Sequence, residues 1–245
     1  MTSGVVVTGG GSGIGRACVR ALAEVGRPVA AWDLDGDAAV AAIERLDVPA
    51  IGISVDVADP DAVEAAVERT RAALPLVGGL VHAAGIVAIE PIGDVDFANF
   101  QRVLDVNLVA FARISQLLLA DLRAAGEGAA IVGIASIDAI VGSAVIPAYC
   151  SSKAGMLGLV RSMAATLGPE GIRVNAVCPG YIDTPMLAPG LVFPEVRESF
   201  ESAAALRRIG QPEDIAGVVR FLLSADAGFI TGQAIVADGG VLAVH

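Results

Sequence analysis

Seven short runs rich in valine, isoleucine and alanine, at 4–8, 28–33, 49–55, 79–83, 129–135, 172–177 and 234–237, recur along the chain with longer amphipathic stretches between them. A strand that is apolar on both faces needs cover on both, and strands separated by helix-length segments pair in parallel through crossovers. The alternation therefore predicts an α/β fold: a doubly wound, seven-stranded parallel sheet with helices on both faces, a three-layer sandwich with right-handed crossovers. Helix starts agree with it. Asp59 is placed to cap a helix that opens on Pro60, and Pro212 with Glu213 and Asp214 opens another. No repeat or linker interrupts the pattern, so residues 1–245 read as a single domain. The stretch at about 181–206 shows no clear period and is too long for an ordinary connection, which marks it as an irregular lid or substrate-binding loop.

Composition removes several classes of function. Sixteen Lys and Arg against 27 Asp and Glu give a net charge of −11, which repels nucleic acid and an anionic membrane surface alike. The mean hydropathy of +0.70 suggests a membrane protein, but Gly, Pro or charge breaks every apolar run before a bilayer-spanning length. Cys18, Cys150 and Cys178 are odd in number and lack metal-site spacing, so no metal is expected, and they read as small buried residues. The start shows no basic, then apolar, secretory signal, and a cytoplasmic location is expected. The two histidines, His82 and His245, leave little for a Ser/His/Asp relay. Of the sixteen basic residues fifteen are arginine, and the single lysine, Lys153, does not follow a glycine-rich loop as a phosphate-binding lysine would.

The first strand runs into Thr8, Gly9, Gly10, Gly11, Ser12, Gly13, Ile14 and Gly15, and then into a helical pattern from Arg16 to Val25. Such a turn lets backbone N–H groups at a helix N-terminus approach a pyrophosphate. Its spacing is not G-x-G-x-x-G, and a flexible turn has the same composition. Asp33, ending the second strand eighteen residues after Gly15, stands where a dinucleotide fold places the acid that binds ribose hydroxyls. Its charge would repel a 2′-phosphate, so NAD is expected over NADP. Asp35 and Asp37 read as a solvated turn. Asp56 with Val57 suits either an adenine contact or a plain approach to the next helix.

Tyr149 and Lys153 lie four apart in a helical stretch and share a face. An ammonium about 4 Å from a phenol, at an effective dielectric of about 20, is worth about 4 kcal/mol, enough to lower the phenol from about 10 towards 7. A compact ammonium can also bond ribose hydroxyls.

With these residues in place the chain resembles the short-chain dehydrogenase/reductase family, in its short single-domain branch, over essentially its whole length. The glycine motif from Thr8 to Gly15, Asp33, Asp56 with Val57, the Tyr149-x-x-x-Lys153 pair, Pro179 and Gly180 followed by Ile182 and Thr184, and the closing Asp238, Gly239 and Gly240 all occur in order. The resemblance implies a Rossmann-type fold and an NAD-dependent oxidoreductase interconverting a secondary alcohol and a ketone. It implies cofactor contacts from Gly9, Ser12, Gly13, Ile14, Gly15, Asp33, Asp56, Val57, Ala84, Gly85, Tyr149, Lys153, Pro179, Gly180, Ile182 and Thr184. In catalysis it implies Tyr149 as proton donor or acceptor, Ser136 on the substrate oxygen, Lys153 beside the tyrosine and the ribose, and Asn107, inside the helix that begins near Phe97, holding a water in the relay. Alternatives are a 3-oxoacyl thioester reductase and a nucleotide-binding regulator without chemistry.

One departure is visible: the family usually reads Asn-Asn-Ala-Gly where this chain has His82, Ala83, Ala84 and Gly85, so an amide that ties neighbouring strands is missing and local packing is in question. His82 reads as a satisfied strand histidine. Met186, Leu187, Leu191, Val192 and Phe193 in the lid, with Ile137, Ala139, Val145 and Ile146, suggest an apolar small-molecule substrate, while Asp138 reads as a solvated loop acid. The segment 108–122 is apolar around most of its circumference, which predicts cover by another subunit, and the family implies a tetramer. Glu127 near Arg123 and Glu170 near Arg173 would discourage an acidic carrier protein, although either arginine is close enough to reach a phosphate.

Overall fold

The computed structural model describes residues 3–243. All seven expected strands form: β1 (Gly4–Thr8), β2 (Val29–Asp33), β3 (Ala50–Ser54), β4 (Val77–His82), β5 (Ala130–Ile134), β6 (Arg173–Pro179) and β7 (Ala234–Ala237). They pair in parallel in the order β3-β2-β1-β4-β5-β6-β7. Successive strand residues point to opposite faces, and β1 shows why a continuous apolar run is needed. Val5 and Val7 enter a core with α1 (Gly13–Ala23) and α10 (Pro212–Leu222), while Val6 enters the core on the other face. That second core is closed by α3 (Pro60–Ala73), α5 (Ala110–Leu117), α6 (Leu119–Ala125) and α7 (Pro147–Leu167), and α4 (Phe97–Leu104) packs on α7. The short helix α2 (Gly36–Ile43) packs beside β3.

The helix starts follow from their sequences. Asp59 accepts the N–H groups of Asp61 and Ala62 ahead of Pro60, and Gln211 with Asp214 forms a capping box at α10. Asp35 caps α2 through Ala38 N–H, so it has a local role beyond that of a solvated turn. Trp32, fully buried, donates its indole N–H to Thr70 at 3.0 Å and fastens β2 to α3.

Three expectations are corrected. The stretch 181–206 is not irregular throughout: it holds α8 (Ala188–Leu191) and α9 (Pro194–Ala203), each opened by a proline in its first turn. Helices this short span too few turns to show a period in sequence. Most of 108–122 is covered by the chain itself, since Ala110, Phe111, Ile114, Leu118 and Leu122 are buried and, of its apolar side chains, only Val109 and Ala120 are exposed. A break at Leu118 bends this segment by 54°, so its apolar faces meet the sheet in turn. Asn107 lies not in a regular α-helix but in a single π-helical turn, Asp105–Val109, between α4 and α5. Among the described residues no single helix is long and apolar enough to cross a membrane.

Candidate active site

From β1 the sheet order runs to β2 and β3 on one side, and from β4 to β5, β6 and β7 on the other. The loops that leave the carboxyl ends of β1 and β4 diverge there and open a crevice. The crevice holds a cavity of about 900 Å³, at the upper end of the range for small-molecule sites. Its wall contains every residue expected at the cofactor end, from the Gly9 to Gly15 turn through Asp33, Asp56, Val57, Ala84 and Gly85 to Pro179, Gly180, Ile182 and Thr184. Ser136, Tyr149 and Lys153 line the same cavity, and Asn107 lies fully buried behind it.

At the glycine turn the chain folds back so closely that a Cβ on Gly15 would stand 2.0 Å from the Gly9 carbonyl oxygen, so no side chain fits. Ser12, the residue before α1, makes no side-chain cap, which leaves the first N–H groups of α1 facing the cavity without a side-chain partner. The Asp33 carboxylate is fixed by Gly11 N–H at 2.9 Å and Asp35 N–H at 3.1 Å. An uncapped helix end, a cradle that a Cβ would fill and a pinned carboxylate fit a dinucleotide's pyrophosphate and ribose. Asp56 accepts from Ala58 N–H at 2.9 Å and pairs with Arg102 at 2.7 Å. Burial raises the Asp56 carboxyl, but these two contacts outweigh it and hold the acid below the usual range. Among the described residues Arg102 is the one guanidinium in the cavity wall, and it is already paired.

At the other end Ser136 leaves β5 and Tyr149 and Lys153 project from the first turns of α7, with the Lys153 ammonium 5.5 Å from the centre of the Tyr149 ring. Lys153 donates to the Ile134 carbonyl at 2.7 Å, and burial lowers it to about 8. The expected depression of the tyrosine is not found. Burial pushes the Tyr149 phenol up to about 12, the Asp138 charge adds to that, and Ser136 opposes it. Desolvation exceeds the opposing hydrogen bond from Ser136 and decides the sign.

The Asn107 amide donates to the Ile86 carbonyl and to Ser152 Oγ, both at 3.0 Å, and accepts Ile86 N–H at 2.9 Å. Both of its donors are committed, and one lone pair on Oδ1 is left. Gly85 is the spacer here: a Cβ on it would stand 3.4 Å from Lys153 Nζ and 3.5 Å from Asn107 Oδ1.

His82 replaces the missing amide with a connection of its own. Thr8 Oγ1 accepts the N–H groups of Ala83 and Ala84 and lies 3.0 Å from His82 Nδ1, while His82 Nε2 lies 3.1 Å from the Val106 carbonyl. A carbonyl only accepts, so the proton is on Nε2 and Thr8 donates to Nδ1. Burial first, then the Lys153 charge, lowers His82 to about 3 against the pull of Val106, so the ring is neutral. It stacks on Phe111 with ring centres 5.2 Å apart. Local packing is therefore intact, tying β4 to β1 and to the π-helical turn.

The substrate end is largely apolar, as expected, but is built in part from other residues. Met186, Leu187, Val145 and Ile146 do line the cavity, but Leu191, Val192, Phe193, Ile137 and Ala139 do not. Their places are taken by Ile86, Val87, Ile89, Tyr181 and Phe200, with the last two rings stacked at 4.0 Å so that α9 is held over the opening. Asp138 is not a solvated loop acid. It is half-buried in the cavity wall, and burial raises its carboxyl. No spacing in the sequence separates these residues from ordinary loop residues. Away from the cavity, Arg123 is held by both Glu170 oxygens, and Arg173 is buried against the carbonyls of Ser224 and Ile230. Arg123 is thus paired with a carboxylate at the surface, and Arg173 faces inward.

Comparison with known proteins agrees with this geometry. The family described as Enoyl-(Acyl carrier protein) reductase matches residues 9–242. The chain is 39% identical to cis-4-hydroxycyclohexanecarboxylate dehydrogenase of Sinomonas cyclohexanicum, covering 98% of this chain and 96% of that one. It is 36% identical to L-rhamnose 1-dehydrogenase (NAD(P)(+)) of Sphingomonas sp. (strain SKA58), covering 97% and 95%. A short-chain type dehydrogenase/reductase from Mycobacterium marinum superimposes with a TM-score of 0.92 at 31% identity, over 98% of this chain and 96% of that one.

Proposed function

Because the chain belongs to the short-chain dehydrogenase/reductase family and is an oxidoreductase acting on CH–OH groups, we propose that its single domain oxidises small secondary alcohols with NAD through Ser136, Tyr149, Lys153 and Asn107. The observation that carries this reading is the convergence of Ser136, Tyr149 and Lys153 on one cavity that also contains the uncapped start of α1 and the pinned Asp33.

The bound nicotinamide supplies the hydride acceptor in oxidation and the donor in reduction. The chain's residues handle the proton and the position of the substrate. Tyr149 Oη takes the hydroxyl proton from the alcohol or returns it to the ketone, and a phenol raised by burial stays protonated at neutral pH, ready for the second role. Ser136 orients the reacting oxygen. Lys153, positively charged below about pH 8, stabilises phenolate as it forms. Asn107 fixes the backbone at Ile86, and its remaining Oδ1 lone pair beside Gly85 suits a water that passes the proton onward. The Asp33 charge and the lack of an unpaired guanidinium in the wall favour NAD over its 2′-phosphorylated form.

A 3-oxoacyl or enoyl thioester reductase is the second reading, favoured by the description of the matching family. The pinned Arg123 and buried Arg173 count against an acidic carrier as partner. With the alcohol and ketone reading goes a homo-oligomer, a tetramer by family resemblance, for which exposed Phe97, Phe229 and Val236 supply apolar surface. It is expected in the cytoplasm, a location that suits three free cysteines.

The test is a panel of cyclic and linear secondary alcohols with NAD, read by absorbance of the reduced cofactor. Turnover that Tyr149→Phe removes while NADH still binds supports the reading. Absence of turnover with every alcohol, alongside reduction of a thioester, sinks it.

A further inference from the structure

We propose that Asp138 selects the substrate: its carboxylate accepts a hydrogen bond from a second hydroxyl on the carbon next to the reacting carbinol, so that vicinal diols and α-hydroxy ketones are preferred to the corresponding mono-alcohols and ketones. The proposal rests on the alcohol and ketone reading of the site and names the substrate class within it.

Asp138 stands in the short helical turn Ile137–Ala139, directly after Ser136, with its side chain in the cavity wall. Among the described residues it has no cationic partner. Among the described residues its carboxylate takes one hydrogen bond, from Ser136 Oγ to Oδ2 at 3.1 Å, and Oδ1 takes none. The Asp138 N–H donates to that same Ser136 oxygen at 3.1 Å. The two tyrosines of the chain, Tyr149 and Tyr181, both feel the Asp138 charge, so the acid faces the reacting end of the cavity.

The arrangement sets two demands on one proton. Ser136 has a single hydroxyl hydrogen, for which Asp138 Oδ2 at 3.1 Å and the Tyr149 oxygen already compete. A ketone or alcohol without a second polar group must draw that hydrogen away, which leaves a half-buried carboxylate with no donor among the described residues. A substrate with a neighbouring hydroxyl avoids this conflict, because that hydroxyl donates to Asp138 and frees the Ser136 proton for the reacting oxygen.

The distances fit adjacent carbons. Ser136 Oγ and Asp138 Oδ2 are 3.1 Å apart. Two hydrogen bonds of about 2.8 Å, one to each, leave about 3 Å between the substrate's two oxygens. That is the separation of gauche oxygens on neighbouring carbons, so the four oxygens close a ring. Hydroxyls across a six-membered ring are too far apart to do so, and a carboxylate in place of the second hydroxyl would face Asp138 as a like charge.

The experiment compares kcat/KM for cyclohexanol, 1,2-cyclohexanediol and 1,4-cyclohexanediol at saturating NAD, in the wild type, Asp138→Asn and Asp138→Leu. The expected result is a preference of tenfold or more for the 1,2-diol over both others in the wild type, reduced in Asp138→Asn and within about threefold in Asp138→Leu. Because each ratio is taken within one protein sample, a general loss of folding or activity does not move it. A wild-type ratio near one, or a preference that survives in Asp138→Leu, overturns the proposal. Should Asp138→Leu fail to fold, the wild-type ratios and Asp138→Asn decide. Should no alcohol be oxidised, the underlying reading has failed, and the subsite is judged by calorimetry with NADH present. Tighter binding of the 1,2-diol than of cyclohexanol upholds it, and equal binding overturns it.

Discussion

Replacing His82 with asparagine restores the residue usual in the family and removes a group whose cost of burial depends on pH. In the folded chain the ring is neutral, with a pKa pushed down to about 3, whereas an unfolded histidine titrates near 6.5. Between those values the unfolded state binds a proton that the native state refuses, so the stability from His82 is fully present above pH 6.5 and is lost as pH falls. At pH 5.0, 1.5 units below the unfolded value, the loss is about 2 kcal/mol at about 1.4 kcal/mol per unit. For a chain of this length that corresponds to a fall in Tm of about 4–8 °C. Other shifted groups act outside the window or cancel between wild type and variant. The carboxyls of Asp56, Glu170 and Asp214 are held below the usual range, so their contribution fades only below about pH 4. Lys153, lowered to about 8, is protonated in both states at pH 5, and His245 is common to both proteins. Differential scanning calorimetry at pH 7.5 and 5.0 should therefore show a larger drop in the wild type than in His82→Asn by about those 4–8 °C. Equal drops would refute a neutral, buried His82, and His82→Gln serves as a second variant if the asparagine packs poorly.

Lys153→Arg should weaken NADH binding and lower kcat together, because a planar guanidinium cannot replace an ammonium bonded to Ile134 and packed against Gly85; fluorescence titration and initial rates check it, and near-full kcat would contradict it. Asp33→Ser should narrow the preference for NAD over NADP, since a 2′-phosphate about 5 Å from Asp33 is opposed by about 1–3 kcal/mol per unit charge at effective dielectrics between about 80 and 20. The wild-type preference in kcat/KM should be at least tenfold, and equal use of both cofactors would remove Asp33 from that role. Carrier-linked 3-oxoacyl substrates should be no better than small thioester mimics, and a tenfold preference for the carrier that fades in high salt would promote the reductase reading.

What the sequence made legible follows the physics that is local to it. Val5, Val6 and Val7 betray a strand covered on both faces because strand periodicity alternates within two residues, and the seven such runs placed the strands to within a few residues. Asp59 and Pro60 announced their helix because a cap acts on N–H groups only two or three residues away. The spacing of Tyr149 and Lys153 was legible for the same reason, since four residues make one helical turn.

Burial and partnership across the chain were not legible, and they set the electrostatics. The expectation for Tyr149 counted an ammonium one turn away but could not count the removal of water, and removal of water decides the sign of its shift. His82 read as a satisfied strand histidine and is one, but the partners that satisfy it are 74 and 24 residues distant and could not be named from the local sequence. Arg123 read as free because Glu170, 47 residues on, lies in another element. Asp138 shows the limit most clearly. Its neighbour Ser136 was named only because the family resemblance implies it, while the acid two residues on shares the loop's composition and differs only in where its side chain lies. Once β5 and the lid place it in the cavity, the same carboxylate competes with the substrate for the Ser136 proton. Substrate choice in this fold is therefore written in which way a loop residue faces, a property set by the packing of elements that the local sequence does not contain.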